Sequence, residues 1–260
     1  MDGVQHERDM DGRSDDGRDP AGRDTDGWFV AGVGAWLKGF LDTDRLVAIA
    51  WRIGAATADL HTALSGSRRS TIGARTYFVE ATAALQEALA VTDGPVGARL
   101  REREPALRAA LEPLRTGRLL AAHHVHGDLT VARFHTVETE LLVDAPLAGD
   151  EWSPALPQSP MFDLATLLQS VDHACRVAVH RVTSNRTRRD AVERVTRLEA
   201  LLSDSLLEAY TVVHAVDADV LTALRVLVEL RHLVRTAAVM PEWAWLPDEA
   251  LPGLLARTAR

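Results

Sequence analysis

From Asp42 onward apolar residues recur at helical spacing almost everywhere, and one long interruption lies between Gly117 and Pro160. Leu46, Ile49, Ala50, Ile53, Ala56, Thr57 and Leu60 fall on one face of a helix, and Leu164, Leu167, Leu168, Val171, Ala174 and Cys175 do the same further on. Inside the interruption the pattern changes to short apolar–polar runs, Phe134 to Val137 and Leu141 to Val143, separated by Glu138-Thr139-Glu140. Two such runs at that distance predict a tight hairpin. The chain is thereby confined to a mainly α architecture, α+β overall, in which a helical bundle carries a small β-hairpin.

Local signals place the helices. Trp28-Phe29-Val30 opens an apolar helix or turn that ends near Asp42. Asp42-Thr43 caps a helix that runs to Ser65-Gly66, where glycine stops it. Further helices are expected from Thr76 to Ala90, and from Pro95 to Thr116-Gly117 with Pro105 kinking or dividing the second. The arginine and glutamate alternation of that segment predicts a solvated face. Ala145 to Pro160 holds four prolines and reads as a loop, long for a connection inside a domain. Helices resume from Phe162 to Val182, from the polar break at 183–189 to Tyr210, from Ala218 to Arg235, and after Trp245-Leu246-Pro247.

Composition excludes several functions. The formal charge of −8 argues against nucleic-acid partners, which need a basic face. A single cysteine, Cys175, rules out an internal disulfide framework and fits a reducing compartment. No apolar run approaches the roughly 20 residues of a membrane helix, and Met1 to Asp26 has no secretory apolar segment, so a cytoplasmic protein is expected. Residues 1–25 repeat glycine every fifth position in Asp-Gly-Arg or Ala-Gly-Arg units and are expected to be disordered, leaving 26–260 as the folded domain. Lys38 is the only lysine.

Chemistry concentrates in the interruption. Asp128 follows His126-Gly127 in a polar stretch ahead of the hairpin, and Asp144 closes it. Two acids so placed suit metal-assisted phosphoryl transfer, one accepting the proton of an attacking hydroxyl and one holding Mg²⁺. Two turn-forming aspartates would give the same spacing. His123, His124, His126 and His135 lie close together, but they lack cysteine partners and the regular helical spacing of a zinc site. Cys175 reads as a small core residue, and Trp243 with Trp245 as anchors of the last helix.

His126-Gly127-Asp128 followed by Leu142-Val143-Asp144 resembles the paired motifs of aminoglycoside phosphotransferase-type kinases. Further runs narrow the resemblance to the bacterial maltokinase group: Asp26-Gly27-Trp28, Ala58 to Leu64, Ser159 to Ala165 with Ser170 to Ala174, and Glu229-Leu230-Arg231 with Met240 to Trp243. The resemblance implies the large, C-terminal lobe of a kinase-like fold with the small N-lobe absent. It implies a sugar kinase that moves the γ-phosphate of ATP to a hydroxyl of maltose or a related sugar, with Mg²⁺. Asp128 would be the catalytic base and Asp144 the metal ligand, while His126 and Asp163 would support the loop.

The motifs also depart from the family. Thr130 replaces a histidine, and Arg133 replaces the glutamine that resembles a second metal ligand. An arginine has no acceptor, so Arg133 would instead bring positive charge to the nucleotide phosphates. Pro146 stands in place of a glutamate, and Phe162 of an arginine ahead of Asp163. Lys38 lies on the wrong side of the hinge-like segment to position a phosphate. Two expectations follow: a kinase whose small lobe comes from a separate chain, or a catalytically impaired pseudokinase that binds or regulates.

Overall fold

The structure, a computed structural model, describes residues 27–66, 70–137, 140–144, 158–182 and 188–258. The glycine-repeat tail, the turn at Glu138-Thr139, most of the proline-rich loop and the polar break before the sixth helix lie outside the described residues. Helices α1 (Gly27–Leu37), α2 (Thr43–Ser65), α3 (Ala74–Val91) and α4 (Gly94–Arg115) precede an insert whose one helical element among the described residues is a single 3-10 turn at Val131–Arg133; α5 (Pro160–Val182), α6 (Arg188–Thr211), α7 (Ala218–Val239) and α8 (Trp245–Thr258) follow it. Strand β1 (Ser70–Gly73) pairs antiparallel with β2 (Leu119–Ala122), and β3 (Phe134–Val137) pairs antiparallel with β4 (Glu140–Val143).

The centre of the bundle is α5, buried along nearly its whole length and packed against α1, α6, α7 and α8. Around it α2 lies on α6, and α3 and α4 lie on α7. The α2–α6 approach depends on Gly54, because a Cβ there would sit 2.2 Å from the Leu206 carbonyl oxygen. Asp42 caps α2 by accepting from the Arg45 amide at 2.7 Å. Cys175 is fully buried, and burial pushes its thiol well above the ordinary value. Among the described residues no helix is long and apolar enough to cross a membrane.

The structure adds a second sheet to the expected hairpin and narrows the expectations for α4. The hairpin is not the only sheet, since β1 and β2 pair although they lie far apart in the chain. Four-residue strands carry little periodicity, so only tertiary contact reveals that pairing. Pro105 does not divide α4, which continues through it and through Pro113. The proline removes one backbone donor, while Leu100, Leu107, Ala110, Leu111 and Leu114 bury the helix on both sides of it. Its charged face is also not wholly solvated, because Arg99 and Arg103 grip the buried Asp248 carboxylate of α8 at 2.6 and 2.7 Å.

Candidate active site

The stretch between β2 and β3 is held from behind by α5. Asp163, in the first turn of α5, is completely buried. Its two oxygens accept from the backbone amides of His126 (2.7 Å) and Gly127 (2.8 Å). The oxygen that takes the His126 amide also receives Nε2–H of buried His61 of α2 at 3.3 Å. His61 Nδ1 is then an acceptor, met by the Tyr210 hydroxyl of α6 at 2.9 Å. Burial first, and the Asp163 charge second, raise the Tyr210 pKa above its ordinary value, so the phenol stays a donor. Gly127 turns the chain at φ +85°, a conformation that side chains resist.

About two helical turns further along α5, the Ser170 hydroxyl accepts from the Val131 amide at 2.9 Å and donates to the Leu167 carbonyl. Trp28 of α1 donates its indole N–H to the Val131 carbonyl at 3.2 Å. The loop is thus fixed by contacts from α1, α2 and α5 before it reaches the hairpin.

His126 joins the two acids through their backbones. Its Nδ1 accepts from the Asp128 amide at 3.3 Å, and its Nε2–H donates to the Asp144 carbonyl at 2.8 Å. These partners are compatible with the neutral Nε2–H form of the ring. The hairpin register pairs Phe134 with Val143, so Arg133 and Asp144 fall one step beyond, and the Asp144 amide donates to the Arg133 carbonyl at 2.8 Å. Asp144 is thereby tied through its backbone to Arg133, whose guanidinium meets the Asp128 carboxylate. Asp128 is 40% exposed and Asp144 51% exposed, although their backbones are fastened to the body.

Each acid has a basic side chain as its neighbour. The Arg133 guanidinium, only 12% exposed, lies on the Asp128 carboxylate. His135 Nδ1 lies 3.1 Å from one Asp144 oxygen. Nearby, burial holds the His123 imidazole below its ordinary pKa, with the His61 and His214 rings adding to the shift. His123 Nδ1 donates to the His124 carbonyl at 2.6 Å. The four histidines of this stretch do not converge on a common point among the described residues.

The donor set can be tested against Mg²⁺. The ion prefers six oxygens and is usually anchored by one or two carboxylates, with phosphates and water completing the shell. Asp144 offers such an anchor, and Arg133 cannot supply another because it has only donors. The arrangement fits an ion that arrives with phosphate and does not form an all-protein cage.

The sequence brought forward Asp128, Arg133, Asp144, His126 and Asp163, and the structure gathers all five. His61 and Ser170 entered the sequence reading only within longer resembling runs and Tyr210 only as the end of a helix, yet these side chains steady the loop. Phe162, noted in place of an arginine, is buried between the stacked ring of Tyr77 (5.8 Å) and the Arg231 guanidinium, 5.0 Å from its centroid. The positive charge approaching this ring comes from α7.

The fold is shared with solved sugar kinases. A glucosamine kinase in complex with glucosamine, ADP and inorganic phosphate matches with a TM-score of 0.78 at 26% identity, over 89% of this chain and 57% of the other. Two further crystal forms of glucosamine kinase match with a TM-score of 0.77 at 26% identity, over 88% of this chain and 59% and 55% of theirs. The chain therefore spans less than two thirds of the length of these kinases. No protein-family model and no curated protein matches the sequence. The architecture is that of a mainly α, kinase-like domain.

Proposed function

We propose that residues 26–260 form the large lobe of a maltokinase-like member of the aminoglycoside phosphotransferase group, and that this lobe serves phosphoryl transfer from ATP to a sugar hydroxyl. The observation that carries the reading is the loop around Asp128: a partly exposed carboxylate on a backbone clamped by buried Asp163, joined through His126 to the segment that bears the more exposed Asp144. The likeness to a glucosamine kinase bound to glucosamine and ADP supports a sugar acceptor and an adenine nucleotide. Glucosamine, maltose and glucose are the acceptors to compare.

In this reading an Asp128 oxygen takes the proton of the acceptor hydroxyl as the sugar oxygen bonds to the γ-phosphorus and the bond to the ADP oxygen breaks. The products are a sugar phosphate and ADP. Asp144 would hold Mg²⁺, which neutralises phosphate charge when bound. Arg133 would turn from Asp128 toward the phosphates. His126 fixes the two acid-bearing segments relative to each other, which matters because phosphoryl transfer depends mainly on positioning and preorganised charge. A nucleotide-covering lobe, from this polypeptide or a separate chain, would complete the cleft.

The ion pair between Arg133 and Asp128 favours a second reading, a pseudokinase in which the base is occupied and the lobe binds without turnover. Coupled ADP-release assays on the full chain with Mg-ATP and the three sugars, beside Asp128→Asn, separate the two. Turnover that falls about 10²–10⁴-fold in Asp128→Asn establishes catalysis, in line with loss of a general base. Absent turnover with saturable Mg-ADP or sugar binding by calorimetry favours the binding module. Absence of both turnover and binding sinks both readings.

A further inference from the structure

A second cluster of ionisable side chains lies away from the loop, where α5 and α7 cross. His173 of α5 places Nε2 2.8 Å from Oε1 of Glu229 on α7. His232, three residues after Glu229 on the same helix, brings its ring to 5.0 Å from that of His173. Positions three apart share a helix face, so α7 presents Glu-x-x-His to a histidine on the neighbouring helix. Ligating atoms from all three residues lie within 4.8 Å of one another.

An ordinary His–Glu pair leaves two features unexplained. Glu229 is wholly buried, and its Oε2 has no hydrogen-bond partner among the described residues. A buried acceptor left unmade is costly, so such an atom calls for a missing partner. The second feature is His232, whose ring nitrogen lies within 4.8 Å of the ligand atoms of His173 and Glu229, where a simple ion pair needs no third group.

We propose that His173, Glu229 and His232 form a binding site for a zinc-class divalent transition-metal ion, independent of the phosphotransfer reading. Two imidazoles and one carboxylate make a common three-ligand zinc set, with a fourth position for water. Imidazole nitrogen disfavours Mg²⁺ and Ca²⁺, which take oxygen ligands. The unpartnered Oε2 gives the carboxylate a free oxygen for the ion, and half-buried His232 opens the cluster to solvent. Imidazole and carboxylate bind a metal only when deprotonated, so affinity decreases in acid.

The site would act as a cross-brace. His173 is one turn along α5 from Ser170, which holds Val131, and His232 follows Arg231, which pairs with Glu80 of α3. Asp172, Arg176 and Arg235 surround the cluster, so its field is mixed in sign.

The test uses the full chain freed of metal by a chelator, with Co²⁺ followed by absorption and Zn²⁺ by calorimetry. The expected result is one ion per chain, intense visible bands of four-coordinate Co²⁺, and a higher melting temperature with Zn²⁺. Glu229→Gln and His232→Asn should each weaken binding by at least the roughly 10–100-fold seen on losing even an outer-shell partner. His124→Ala, on the exposed side of the loop, should bind as the unaltered chain does. His232→Ala replaces either core variant that fails to fold. Six-coordinate Co²⁺ spectra, binding retained in both core variants, or binding lost in His124→Ala would overturn the proposal.

Discussion

Asp163 and Glu229 are both fully buried acids in the same helical body, and their oxygens meet opposite fates. Asp163 receives two backbone amides and an imidazole, so each oxygen is occupied. Glu229 receives one imidazole on Oε1 and, among the described residues, nothing on Oε2. Burial, its largest influence, raises the Glu229 pKa, with Asp172 adding to the effect and His173 and Arg176 opposing it. A saturated buried acid works as a clamp. A half-saturated one retains capacity for another partner. The exposed acids of the loop depend on the first kind, since Asp128 is positioned by a backbone that Asp163 grips.

Removing the clamp should have the largest effect. Asp163→Ala strands two buried amides and His61, and about 3–5 kcal/mol of stability should be lost, read from urea unfolding. An unchanged midpoint would break the contrast. Ser170→Ala removes the acceptor for the Val131 amide and should cost about 1–3 kcal/mol, with the loop's amide exchange accelerating ahead of the helices. Glu229→Gln, measured without metal, should cost only about 1 kcal/mol, because one of the native carboxylate oxygens is already unsatisfied. A loss equal to that of Asp163→Ala would show that the two acids are held alike.

A last contrast concerns pH. The folded pKa of His232 is about 3, below its ordinary value of 6.5, so the unfolded chain binds more protons between those values. Stability from this group is complete above pH 6.5 and declines as pH falls toward 3. Glu229 opposes it, since its raised pKa makes the fold the better proton binder above 4.5 and lets stability fall as pH rises there. Urea midpoints across this range should therefore show a shallower acid decline in His232→Asn than in the unaltered chain.

Most helices are legible in local sequence signals. Asp42 with Gly66 and the apolar stripe of α2 define that element almost to the residue, because capping and amphipathic period act over a few positions. The β3–β4 hairpin is legible for the same reason. The β1–β2 pairing is not, since its partners lie far apart in the chain and each strand is four residues long. In the site, the motif draws attention to Asp128, Asp144 and Asp163. Tyr210 gives no such signal and Ser170 only that of the run it opens, because a serine on a helix or a tyrosine at a helix end gains its role only from what it faces. For Glu229 and His232 a signal exists in their three-residue spacing, but His173 completes it from another helix.

The sequence by itself determined a helical body, the hairpin and a loop bearing two acids, since periodicity, caps and turn residues act within a few positions. Tertiary structure decided which buried carboxylate is saturated and which is open, and that Arg133 lies on Asp128. Those outcomes depend on donors brought from helices far apart in the chain, and hydrogen-bond satisfaction is a property of the packed assembly.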